Sequence, residues 1–333
     1  MKKILVVFAA LCILSMGACF SPWDGSGEGA IVISLGDGGA RAAANGNEYT
    51  VIVTNSNSGE TAALTKITGG KATFSVQPGQ WNVVVRREDA GRLNGYGEKN
   101  NVEVKAGATA SASIDMRDLV EVGGNWGDLK TAIEGAQAEL VMLTSEKLTV
   151  NDSIEIPHGK SITLLSKNPV TIIKGTTFPN SMFRVPRSSS LTLGVAGGME
   201  GTITFDGDGR GSSSLIYVGT TRINPGKNSG DGGKLAMYDG VTLTNNRATI
   251  DDRGGGVVVQ GGTFNMYGGT ISGNTAVRGG GVRVLSGTFK KTGGTIYGSD
   301  GGENKNTATE GHAVYFDGSK KAIDATLGSK DNL

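Results

Sequence analysis

The residues with chemistry to offer fall into a few clusters. Asp206-Gly207-Asp208-Gly209-Arg210-Gly211 has the acidic spacing that opens a calcium loop, yet Arg210 occupies a ligand position and Tyr217 stands where a bidentate Glu is needed. No helical pattern flanks the segment, so a polar turn explains it better. Glycoside hydrolysis needs two carboxylates about 5–9 Å apart on one face. Asp206 with Asp208, and Asp251 with Asp252 and Arg253, are the candidates. Adjacent residues on a strand point to opposite faces, which weakens the second pair unless it lies in a turn. Lyase chemistry would add a base and a cation, and neither group supplies a recognisable set. Tyr238, Tyr267 and Tyr297 recur beside glycines at near-equal spacing. They suit either an outward stripe for sugar stacking or an inward stack, and the core is the favoured expectation.

The glycines carry a second pattern. GGGVVVQGGTFNMYGGTISGNTA, Gly254 to Ala276, returns as GGGVRVLSGTFKKTGGTIYGS, Gly279 to Ser299. Gly254 and Gly279, Thr263 and Thr288, and Gly269 and Gly294 each stand 25 positions apart. A phosphate-cradling loop occurs once, between a strand and a helix N-terminus, and no helical pattern follows Gly281. A fixed period instead marks a solenoid of stacked coils, each holding about three short strands. Placing Ile203, Leu243 and Ile271 in register aligns Asp206, Asn246 and Asn274, and Asn306 joins after a short insertion. Such residues tolerate left-handed corners and bond neighbouring backbone, so they are expected to stack as a ladder. The glycines are expected at the other corners, for their backbone angles.

These features need a scaffold of strands. The chain has 333 residues with 55 Gly and only 7 Pro, which excludes collagen and implies many turns between short strands. A net charge of +1 without a basic block argues against nucleic acid as a partner. Cys12 and Cys19 are the only cysteines and His158 and His312 the only histidines, so no disulfide framework, zinc site or other cofactor is implied. Lys2, Lys3 and the apolar run Ile4–Met16 read as an export signal too short to span a bilayer comfortably. From Ala30 the pattern alternates with period two, in AIVIS, EYTVIVT, KATFSV, WNVVVRR, NVEVK and ASASIDM. Trp126, Leu129, Ile133 and Ala136 then recur at helical spacing behind Asn125, a suitable N-cap.

Four resemblances give these segments expected identities. Met16-Gly17-Ala18-Cys19 resembles the lipobox of bacterial lipoproteins, with Met where Leu is usual, and implies a lipidated Cys19 as membrane anchor. Phe20 and Ser21 lack an inner-membrane retention Asp, which implies the outer membrane or cell surface. FSVQPGQWNVVVRRED with NVEVKAGATASASIDM resembles prealbumin-like or carboxypeptidase-regulatory-like accessory domains, which act as spacers. LVMLTSEKLTV, DSIEIPHGKSITLLS and NPVTIIKG, with the helix before them, resemble pectin-lyase-like right-handed parallel β-helices. The Gly-rich repeats also resemble those of bacterial polymorphic outer-membrane proteins, although the FxxN spacing is absent. The expected fold is therefore all-β. It runs as a signal peptide (1–18), a tether (19–29), an antiparallel β-sandwich (30–116), a linker and capping helix (117–139), a parallel β-helix (140–320) and a tail (321–333). The expected function is a non-enzymatic, adhesin-like or scaffolding lipoprotein with a surface glycan or protein as ligand. The alternative is a polysaccharide lyase or glycoside hydrolase on the same scaffold.

Overall fold

The computed structural model describes residues 27–35, 48–65, 70–89, 92–135, 139–219, 232–251, 253–317 and 324–325. The expectations for residues 1–18, Cys19, Ala136, Asp252 and most of the tail lie outside these residues.

The described chain is mostly β, with one α-helix and one short 3-10 turn. Its first part holds eight strands: β1 Gly29–Leu35, β2 Glu48–Asn55, β3 Thr61–Thr65, β4 Lys71–Val76, β5 Gly79–Asp89, β6 Arg92–Val104, β7 Thr109–Ile114 and β8 Arg117–Val122. Alternation decides their faces: in β4 the residues Ala72, Phe74 and Val76 are buried while Lys71, Thr73 and Ser75 are exposed. One sheet runs β4-β1-β7 and another runs β3-β2-β5-β6-β8. Ile31, Phe74 and Ile114 from the first share a core with Tyr49, Val51 and Trp81 from the second.

Two sequence expectations need correction here. Pairing is not antiparallel throughout, because β1 and β7 run parallel, with Ile31 opposite Ala110. The chain crosses between sheets at Lys105–Ala108, where Ala30 N–H donates to Ala108 O and Gly107 N–H to Glu28 O, and it enters β7 running alongside β1. The segment from 117 is also more than a linker. β8 pairs antiparallel with β6 and parallel with Leu140–Leu143, so one continuous sheet joins the two parts of the chain.

Helix α1, Trp126–Glu134, follows β8. Asn125 Oδ1 accepts from Gly127 and Asp128 N–H while Asp128 Oδ2 accepts from Asn125 N–H, a complete capping box. Its buried face, Trp126, Leu129 and Ile133, closes one end of the next apolar interior, with Trp126 edge-on to Phe183 at 5.5 Å.

Beyond the helix the chain visits three parallel ladders in turn. Ladder A stacks Lys147–Val150, Val170–Lys174, Ile203–Asp206, Val241–Thr244, Thr270–Ser272 and Thr295–Ile296. Ladder B stacks Ile154–Glu155, Phe183–Val185, Ile216–Gly219, then the first halves of Val257–Met266 and Val282–Lys291, then Val314–Phe316. Ladder C stacks Leu140–Leu143, Ser161–Ser166, Ser190–Leu193, Lys234–Met237 and the second halves of those two long strands. Inward side chains of all three ladders merge into one core. The repeat read from the sequence fixes the pairing of the later rungs: Val257 opposes Val282, Thr263 opposes Thr288 and Ile271 opposes Ile296.

Of the six triplet glycines only Gly279, at φ 65°, works as expected. Gly255, Gly256, Gly280 and Gly281 are absent from the left-handed region. They are glycine because the next rung leaves no room for a side chain: a Cβ on Gly256 would lie 2.8 Å from Gly281 O, and one on Gly281 2.6 Å from Ala313 O. Gly269 and Gly294, at φ 85° and 75°, are the corners of the expected kind.

The two parts of the chain meet over a small apolar cluster. Val84 and Ile52, on the outer face of the second N-terminal sheet, pack with Tyr96, Leu140, Leu165, Val195 and Met199. Arg86 Nη1 donates to Gly198 O at 3.2 Å across the same junction. Full burial of each aliphatic side chain here contributes about 1.5–3 kcal/mol, enough to hold the sheet against ladder C.

Candidate functional site

That junction creates a cleft of about 400 Å³. One wall is the outer face of ladder C. Leu193, Met237, Met266 and Lys291 occupy successive rungs, and the residues after them, Gly194, Tyr238, Tyr267 and Thr292, form a row. The two phenol rings stack at 4.9 Å with an interplanar angle of 23°. Both are half-buried, so this pair is an outward ledge rather than the expected core stack. The core stack is built instead by Phe264 and Phe289, at 5.1 Å.

The opposite wall is the turn after β2 together with neighbouring strands. Asn55 Oδ1 accepts from Asn57 and Ser58 N–H at 2.9 and 3.0 Å, which fixes the turn. Asn57, Asn82 and Asn100 bring amides to the cleft from three separate segments. Asp239, the one carboxylate among its described lining residues, accepts from Gly269 N–H at 3.0 Å. Among the described residues no Lys, Arg or His lines it. Glu98, which accepts a hydrogen bond from Tyr96 OH at 2.9 Å, adds negative charge nearby. Burial pushes the Tyr238 and Tyr267 phenols up, and the Glu98 carboxylate adds to both shifts.

Tyr297 is not part of this row. It follows Ile296 in ladder A, and its N–H donates to Ile271 O. Thr292 holds the position one rung beyond Tyr267, so the even spacing of the three tyrosines crosses two ladders.

The candidate acids are each held by local partners. Asp206 Oδ1 accepts from Asp208 N–H at 2.7 Å and from Asn245 Nδ2 at 2.9 Å. Asp208, at φ 56°, pairs with Arg210 at 2.8 Å. Asp251 is exposed and pairs with Arg278 at 3.4 Å. Among the described residues no group of three or more His, Cys, Asp or Glu could hold a metal ion. Nor is any described helix long and apolar enough to cross a membrane.

Asn246, Asn274 and Asn306 are fully buried and linked rung to rung. Asn274 Oδ1 accepts from Asn246 N–H at 3.1 Å, and Asn306 Oδ1 accepts from Asn274 N–H at 2.9 Å. Asp206 does not belong to this row. Ile203 pairs with Val241, not Leu243, which sets Asp206 opposite Thr244. The row begins instead at Lys174, whose buried Nζ donates to Asn246 Oδ1 at 2.9 Å and Ser213 O at 3.1 Å. A signal for Lys174 existed: in VTIIK it takes the inward turn of the alternation after Val170 and Ile172.

Burial lowers the Lys174 ammonium from its ordinary 10.5 to about 8. The folded pKa lies below the unfolded one, so the unfolded chain binds the proton more tightly between them. Stability therefore rises with pH from about 8, until unfolded tyrosines ionise near 10 and the raised phenols reverse the trend. The expected gain is about 1 kcal/mol between pH 8 and 9, below the range where tyrosines ionise. Urea midpoints across that range should climb for the natural chain and stay flat for Lys174→Met. An equal climb in both would assign the effect elsewhere.

No family model, curated protein or solved structure matches the chain.

Proposed function

We propose that the chain is a non-enzymatic lipoprotein of the bacterial cell envelope, anchored through lipid on Cys19. In this reading β1–β8 form a sandwich-like spacer, and the three ladders form a right-handed parallel β-helix capped by α1. The junction between them is the binding site, and the role is adhesin-like. The β-helix reading is supported by three parallel ladders visited in fixed order around one apolar core, and by the buried asparagine row. The observation that carries the function is the cleft itself. It offers a tyrosine ledge and amides that can hold a ligand, but the single carboxylate among its described lining residues is already bonded to Gly269 N–H. Hydrolysis with two carboxylates finds no pair among those described residues.

The test has two parts. Palmitate labelling of cells expressing the chain should mark it and fail on Cys19→Ala. The purified chain should be retained on at least one member of a panel of anionic and neutral polysaccharides while releasing no new reducing ends or unsaturated uronate, with or without calcium. Product release that disappears in Asp206→Ala, Asp208→Ala or Asp251→Ala would replace this reading with a carbohydrate-active enzyme.

A further inference from the structure

The chemistry of the cleft narrows its ligand. Tyr238 and Tyr267 cover each other on their facing sides. One rung further stands Thr292, exposed and smaller than a phenol, so among the described residues the outer face of Tyr267 has no ring upon it. An aromatic face bordered by short polar side chains suits the apolar C–H side of a sugar ring, because the same ligand then turns its hydroxyls outward to the rim. Asparagine amides donate and accept together, as hydroxyls do. Charge selects further. Asp239 lines the cleft, Glu98 adjoins it, and no cationic side chain lies among the described lining residues to offset them. An anionic sugar would bring a like charge into a half-enclosed site of low effective dielectric, whereas an uncharged one would not. A volume of about 400 Å³ is at the small end of ligand sites and fits a short segment rather than a long chain lying in a groove.

We infer that the cleft takes a short segment of an uncharged saccharide, one ring seated on Tyr267 and its hydroxyls paired with Asn57, Asn82 and Asn100. This rests on the reading of the junction as the binding site.

The experiment titrates the purified full chain in mild detergent with neutral trisaccharides of glucose, galactose, mannose and N-acetylhexosamine, and with trigalacturonate, by calorimetry and saturation-transfer NMR. At least one neutral trisaccharide should bind, and trigalacturonate should bind about tenfold more weakly than it or worse. Asp239→Asn keeps the acceptor for Gly269 N–H and should narrow that gap. Tyr267→Ala should weaken neutral binding about tenfold or more, while Tyr267→Phe keeps it. Thr292→Tyr, on an exposed position, should abolish it by covering the Tyr267 face, which guards against a Tyr267→Ala chain that fails to fold. Equal binding of trigalacturonate, or neutral binding indifferent to both Tyr267→Ala and Thr292→Tyr, overturns the inference. Suppose no sugar binds, yet beads coated with the chain adhere to cells and Thr292→Tyr abolishes adhesion. Then the saccharide class is wrong and the binding cleft stands. If adhesion too ignores Thr292→Tyr, both readings fail.

Discussion

Gly255→Ala is expected to destabilise the fold by about 4 kcal/mol or more, although it adds a single methyl group. Gly255 N–H donates to Gly279 O at 2.9 Å, and Gly255 O accepts from Asn246 Nδ2 at 2.6 Å, so its backbone is fixed on both sides. A Cβ there would collide with Gly280 O and lie 2.8 Å from Asn274 Cβ. Both belong to buried segments of the next rungs, and neither can retreat without breaking its own ladder bonds. The informative control is Gly261→Ala. Gly261 is at φ 78° with nothing within 4 Å of its would-be Cβ, so its cost is the left-handed backbone alone, about 1–2 kcal/mol. Urea denaturation of both variants, with hydrogen exchange at Val282 and Val284, separates the two causes. Comparable losses would show that small backbone shifts absorb the rung-to-rung contact and that it does not set the need for glycine at Gly255.

Asn274→Leu should cost about 3–5 kcal/mol, despite similar size and greater hydrophobicity. Asn274 Nδ2 donates to Leu243 O, Ser272 O and Asn306 Oδ1 at 3.0, 2.9 and 3.1 Å, and its Oδ1 accepts from Asn246 N–H. Leucine would strand those buried groups with no water to replace the amide. Asn274→Asp makes a sharper test. At neutral pH the carboxylate keeps the bond from Asn246 N–H but faces three oxygens with no proton to give. Protonation restores one donor, so the variant should lose more than Asn274→Leu at pH 7 and recover part of the deficit at pH 4. A deficit independent of pH would mean that the aspartate has left the row for solvent.

Both predictions concern positions that could be found by reading along the chain. Where coils are of equal length, spacing alone pairs Val257 with Val282 and Ile271 with Ile296. The same reading failed at Asp206. A slip of two residues between ITFD and VTLT keeps every inward side chain inward, so alternation cannot detect it. The tyrosines failed for a related reason: equal spacing in sequence is equal position in space only when coils do not change length, and here they do. Lys174 shows the converse, a polar residue whose inward register was visible but whose partner, Asn246, lies two rungs away in a ladder the spacing had misaligned.

The sequence by itself determined the all-β class, the capped helix at Asn125, the later repeat register and the buried asparagines. Each depends on residues close along the chain or separated by one constant period, where side-chain alternation and corner chemistry act directly. The tertiary structure alone decided that β8 fuses two sheets, that every triplet glycine but Gly279 serves contact rather than angle, and that Asn57 faces Tyr267 across a cleft. Those outcomes depend on which apolar face of one sheet covers which ladder. The residues that settle it, Ile52, Val84, Tyr96, Leu165 and Val195, share no spacing. They are brought together only by burying one another.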